Sequence, residues 1–220
     1  MTCDDVMARL QGMRNEMIYK HNAKNGAGDN QFGAKSGDIR ALAKEIKANP
    51  ELAKELWATG NLDARLLATL LMKPRQLSLA DLDELVGSVT VAHVADWLSN
   101  VVKQHPDKES RREAWMASKH DFTVRMGWSL TTEKVLKDPA SLDLAALLDR
   151  VEKEMPSASP VAQWTMNYCL AEIGIHHAEH RRRALAIGEK IGAFKDYPVS
   201  KGCTSPYAPI WIAEMVKRQG

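Results

Sequence analysis

Apolar residues recur at helical spacing along almost the whole chain, and no run alternates as a half-buried strand would. That restricts the 220 residues to helices that bury their apolar stripes against other helices. The punctuation agrees. Thr2 with Asp5 reads as a capping box, and Val6, Leu10, Met13 and Met17 then share one helix face until a Gly/Asn-rich loop, Lys24 to Gly33, ends that helix. Ser36 caps a second helix carrying Ile39, Leu42 and Ile46, which Asn49-Pro50 stops. A short helix runs to Thr59-Gly60, and the next carries Leu62, Leu66, Leu67 and Leu70 before Lys73-Pro74. Ser78 with Asp81 opens another, and Thr90 opens one that bears Val94, Leu98 and Val101 and ends near His105-Pro106. Two more cover 107–118 and 121–136, and Pro139 with Ser141 introduces a leucine-rich helix to Met155. Ser159-Pro160, a cap followed by proline, starts a helix that Gly174 should break; another reaches Ile191, and a last one surrounds Trp211.

About a dozen helices with short linkers must lie antiparallel to their neighbours. Their lengths suit HEAT-like helix pairs, whose unit is roughly 40 residues. The expected fold is all-α: an α-α superhelix of HEAT-like antiparallel helix pairs, curved, with function on its concave wall and residues 1–220 forming one repeat domain. A compact helical bundle is the alternative.

The apolar fraction of 45% and charged fraction of 26% are ordinary for a folded chain and argue against disorder. No apolar stretch approaches the roughly 18 residues that cross a bilayer. MTCDDVMARL has two early acids and no apolar signal core, so the expected location is cytoplasmic. Cys3, Cys169 and Cys203 are odd in number and in no CxxC pair, which fits free thiols in a reducing compartment. Net charge is +2, but its distribution is uneven: from His177 onward eight Lys/Arg face four Asp/Glu, densest at Arg181, Arg182 and Arg183. Such a run is usually a solvated face, and here it also suits an anionic partner. No P-loop, dinucleotide loop or GxSxG is present, which leaves kinase, dehydrogenase and serine-hydrolase readings without support and implies no cofactor.

Four stretches together carry a resemblance. They are Phe32-Gly33-Ala34-Lys35-Ser36-Gly37-Asp38-Ile39-Arg40; Leu56-Trp57 with Ala64-Arg65; Trp115-Met116-Ala117-Ser118 with Phe122 and Arg125; and Cys203-Thr204-Ser205-Pro206-Tyr207-Ala208-Pro209-Ile210-Trp211. In order and spacing they resemble the DNA alkylation repair family typified by the AlkD glycosylase, and the first and last look closer to its diverged AlkD2-like branch. The resemblance spans nearly the whole chain. It implies that the concave face holds duplex DNA, alkylated or distorted, and is nucleoid-associated when bound. It also implies hydrolysis of the N-glycosidic bond of purines alkylated at N3 or N7, without a base-flipping pocket. Such a base leaves as a cation, so one carboxylate that stabilises the sugar and positions water suffices.

Carried over residue by residue, the resemblance puts the catalytic carboxylate at Asp96, a sugar-facing aromatic at Tyr168 and a phosphate-contacting guanidinium at Arg125. The aromatic expected four positions before Asp96 is Ala92, which removes half of the aromatic clamp unless Trp97 takes its place. Lys35 and Arg40, near a helix start, and Arg181 to Arg183 are further backbone-contact candidates. Without the resemblance, Asp96 reads as a surface residue, Tyr168 as core, and Trp57, Trp128 and Trp211 as packing. His176-His177-x-x-His180 with Glu172 invites a metal, but no CxxC or HExxH accompanies it and none is expected. The first functional reading is therefore an alkylpurine glycosylase. The alternatives are a non-catalytic binder of distorted or branched DNA and a protein-binding helical scaffold.

Overall fold

The structure is a computed structural model that describes residues 1–219. The described residues form thirteen α-helices, three short 3-10 turns and no strand, joined by loops. The chain divides into two compact units, Met1–Lys108 and the part from Glu109 onward.

The first unit holds α1 (Cys3–Gly12), α2 (Glu16–Lys24), α3 (Ser36–Ile46), α4 (Pro50–Ala58), α5 (Leu62–Leu71), α6 (Leu79–Gly87) and α7 (Ala92–Lys103). Its centre is α5, which packs against α1, α3, α4 and α7 and is buried on nearly every side. The expected capping boxes form at Thr2/Asp5 and Ser78/Asp81, and Asn49 caps α4 with Pro50 at its first position. Arg65 ties the unit together. Its Nε donates to the Trp57 carbonyl at the end of α4 (3.2 Å) and its Nη1 to the Ser88 carbonyl after α6 (3.0 Å).

In this unit three expectations need correction. The first helix is two: Asn15 turns extended, and its side chain accepts from the Met17 and Ile18 amides, starting α2 afresh. Met17 is consequently 80% exposed and shares no face with Val6 and Leu10. Ser36 is not a cap; Lys35 occupies that position without a side-chain bond. The loop ahead of it is held by Asp63, a buried carboxylate that accepts from the Phe32, Gly33 and Ala34 amides. Finally, α7 is preceded by Val91 rather than started by Thr90.

The second unit holds α8 (Glu109–Met116), α9 (Asp121–Lys137), α10 (Leu144–Glu154), α11 (Pro160–His176), α12 (Ala178–Ile191) and α13 (Ala208–Gln219). Helix α9 runs back along α8, since Glu109 meets Lys134 (3.7 Å) and Arg112 meets Thr131 (3.3 Å). Side by side in one layer, α9 and α11 are parallel. Arg125 donates to the Val161 carbonyl near their starts (2.9 Å), and His177 to the Val135 carbonyl near their ends (3.2 Å). In the other layer α10 and α12 are also parallel, joined by Arg183–Asp149 and by Lys190–Glu152 at 2.7 Å. This layered repetition of helix pairs buries Trp128, Leu148, Cys169 and Leu170 completely. Gly174 does not break α11, which continues to His176. It lies where a Cβ would come within 2.5 Å of Ile212, so its smallness serves the packing of α13.

Candidate nucleic-acid interface

Helix α7 buries Val94, Ala95, Leu98, Val101 and Val102. The face left over, at spacings of three and four, carries His93, Asp96, Trp97, Asn100 and Gln104. Asp96 is exposed there, while Trp97 is half-buried and engaged on two sides. The Arg40 guanidinium of α3 lies over its ring, 4.4 Å from the centroid, and the His93 ring meets it edge-on at 5.7 Å. Arg40, Trp97, Leu70, Asn100 and Gln104 line an open cleft of about 290 Å³. Lys35 is exposed at the start of α3, so the first unit places two of the expected cations on one helix, five residues apart.

Burial holds the His93 imidazole below its ordinary range. Arg40 and His21 push the same way, and Asp96 and Asp63 oppose them. Above the ordinary histidine range both folded and unfolded chains are neutral at this position. As pH falls through that range the unfolded chain takes up a proton that the folded chain resists, so stability drops until the lower folded pKa is reached. Between pH 7.5 and 5.5, His93→Gln is expected to lose less stability than the parent, read as the change in urea midpoint. Equal losses would show that this histidine is not linked to folding.

In the second unit Arg125 is only 7% exposed, with one guanidinium nitrogen committed to the Val161 carbonyl where α11 begins. Tyr168 is 37% exposed on α11 and meets Trp211 edge-on, 4.3 Å between centroids. The expectation that Trp211 is core is corrected: it is half-buried and part of an aromatic cluster. Trp164, one turn before Tyr168, meets Phe194 at 5.3 Å and Tyr197 at 5.5 Å. The three consecutive arginines separate. Arg181 closes the end of α11, donating to the Gly174 and Ile175 carbonyls (2.8 and 3.1 Å), Arg183 is tied to α10, and Arg182 is exposed. His176 pairs with Glu172 at 3.1 Å, and among the described residues no three His, Cys, Asp or Glu side chains form a group able to hold a metal.

The reading from sequence missed Trp164 and Tyr197. The signal was slight: two aromatics at i and i+4 on α11, and a tyrosine in an aperiodic Gly/Pro/Ser-rich stretch.

An all-helical chain whose helix pairs repeat in layers, with arginine and aromatic side chains on helix faces, has the HEAT-like repeat fold of DNA glycosylases. Residues 6–212 match the family described as DNA alkylation repair enzyme, and the chain belongs to that family. It is 25% identical over 223 residues to an uncharacterised protein of Listeria innocua, covering 99% of this chain and 97% of that one. An uncharacterised protein of Listeria monocytogenes is 22% identical over 224 residues, 99% of each. Among solved structures the chain resembles one described as a new family of proteins related to the HEAT-like repeat DNA glycosylases with affinity for branched DNA structures. That likeness has a TM-score of 0.82 at 23% identity and covers all of this chain and 95% of the other.

Proposed function

We propose that this protein binds DNA by its backbone and recognises branched or distorted duplex without cleaving glycosidic bonds. One observation carries this reading: the α7 face lacks the aromatic that would flank a catalytic Asp96. Ala92 occupies its place, and Trp97 is engaged by Arg40 and His93. A guanidinium seated on an indole is a rigid, partly desolvated donor suited to a phosphate, which it contacts without reading sequence. The affinity for branched DNA described for the similar solved structure supports the same reading. A second reading, excision of purines alkylated at N3 or N7, is favoured by the exposed carboxylate of Asp96 beside Trp97. It would stabilise the sugar cation as the base leaves.

Binding to a four-way junction and to a linear duplex of matched sequence, followed by anisotropy across a salt series, separates these readings. The expected result is tighter junction binding that weakens steeply with salt, no release of 7-methylguanine from methylated DNA, and weaker binding with a shallower salt slope for Arg40→Ala, shallower by about one unit. Release that Asp96→Asn abolishes would establish the glycosylase instead. Absence of binding to either DNA at low salt would sink both.

A further inference from the structure

The segment between α12 and α13 folds over α11 and leaves an open cleft of about 370 Å³ lined by Trp164, Tyr168, Tyr197 and Trp211. The volume is in the range of built small-molecule sites. Four aromatic side chains facing one space is an expensive arrangement for a surface, since Tyr168 stays 37% and Tyr197 46% exposed. The rings meet one another tilted or edge-on, at 6.2 Å for Trp164–Tyr168 and 4.3 Å for Tyr168–Trp211, so they are not stacked face to face among themselves.

The walls are fixed. Asn167, 2% exposed, donates from Nδ2 to the Pro206 carbonyl (2.8 Å), pinning the Cys203–Pro206 wall beside Tyr168. On that wall Thr204 accepts from Arg218 of α13 (3.2 Å), and Ser205 accepts from the Tyr207 amide (3.2 Å). The segment that supplies this wall is basic in sequence, with exposed Lys195 and Lys201 against Asp196, and exposed Arg218 of α13 reaches it at Thr204.

We propose that this cleft takes a single unpaired nucleobase of a DNA strand, stacked on the aromatic rings, with the neighbouring phosphates against Lys195, Lys201 and Arg218. The chemistry matches on both counts. Any base offers a π-face whatever its identity, and its backbone carries the charge that these cations complement. Ser200 and Thr204 also line the cleft and supply polar groups suited to the edge of the base. The proposal rests on the DNA-binding reading and deepens it, because strands that meet at a branch or distortion expose bases that intact duplex hides.

The test uses the full chain and a four-way junction with 2-aminopurine at the branch point, and binding is followed separately by anisotropy of a distant dye. The expected result is a change in 2-aminopurine fluorescence on binding that is absent for the same base inside intact duplex. Tyr197→Ala and Trp164→Ala should lose it and weaken junction binding roughly five- to a hundredfold, with Trp164→Phe largely restoring both. Tyr197 is exposed, so its variant reads the cleft even if Trp164→Ala loosens the fold. Junction binding with unchanged 2-aminopurine fluorescence, or with full affinity in Tyr197→Ala, would overturn the cleft proposal and leave the DNA-binding reading standing. No junction binding at all would overturn both. A protein whose Tyr197→Ala variant turns from dimer to monomer in sedimentation would assign the cleft to a second copy of this chain.

Discussion

Asp63→Ala is expected to destabilise the protein by about 4 kcal/mol, a large share of the roughly 5–15 kcal/mol that holds most domains. The residue is 1% exposed at the start of α5. One carboxylate oxygen accepts from the Phe32 amide (2.6 Å) and the Gly33 amide (3.2 Å), the other from the Ala34 amide (2.8 Å). Bonds to a charged acceptor contribute on the order of 1.5–3 kcal/mol each, and they do not add fully. Truncation also strands buried amide donors in a loop that cannot move aside. Gly33 sits at φ 73°, and a Cβ on it would lie 2.5 Å from the Tyr19 nitrogen. Asp63→Asn keeps one acceptor oxygen but turns an NH2 group toward donors, so about half the loss is expected. Equilibrium urea unfolding measures both. An Ala variant within about 1 kcal/mol of the parent would show that the loop finds other partners or water.

The substitution also bears on the candidate interface, because the loop that Asp63 holds delivers Lys35 and the first turn of α3. Five residues after Lys35, Arg40 reaches Trp97. Junction binding by Asp63→Ala is therefore expected to fall at temperatures where the chain is still mostly folded.

Much of the helical order was legible because its signals are local. Thr2/Asp5, Asn49-Pro50 and Ser78/Asp81 each start a helix with groups three residues apart or fewer. What escaped reading was set at a distance. Ser36 looked like a cap, yet the carboxylate that fixes the loop ahead of α3 stands 29 to 31 residues away. Gly174 looked like a helix stop, when its role is to let Ile212 and Ala184 approach. The first helix ends at Gly12 and Asn15 starts another within a single apolar period, where the stripe gives no warning.

The candidate site follows the same rule. Asp96 and Trp97 are neighbours on α7 and could be named together, but nothing in the sequence joins Trp97 to Arg40, whose contact decides what the indole is free to do. Likewise Tyr168 can be named from the resemblance, while its edge-on partner Trp211 reads as core because Ile210 and Ile212 flank it. Ile212 is buried and Ile210 is 46% exposed, so the flanking letters did not fix the direction of the ring between them.

Gly127→Ala is expected to cost about 3 kcal/mol, although alanine is the better helix former. Helix propensity alone favours alanine over glycine by up to about 1 kcal/mol inside a helix. Here the added Cβ would sit 2.5 Å from the Met116 nitrogen and 2.9 Å from the Trp115 carbonyl carbon, where α9 crosses α8. Both are backbone atoms and cannot rotate away, so the two helices must separate and loosen the contacts of Trp115 and Met116, each under 5% exposed. Gly87→Ala is the matched control: it ends α6, a Cβ there meets nothing within 4 Å, and it should be neutral or slightly stabilising. At roughly 2–4 °C per kcal/mol for a chain of this size, the two variants should differ in Tm by about 10 °C. Arg125, a phosphate contact only as the family resemblance proposes, lies two residues before Gly127 and bridges to α11, so on that proposal displacement of α9 should also weaken DNA binding, while Gly87→Ala leaves it unchanged. If Gly127→Ala melts with the parent, the close crossing of α8 and α9 is not what holds the second unit together.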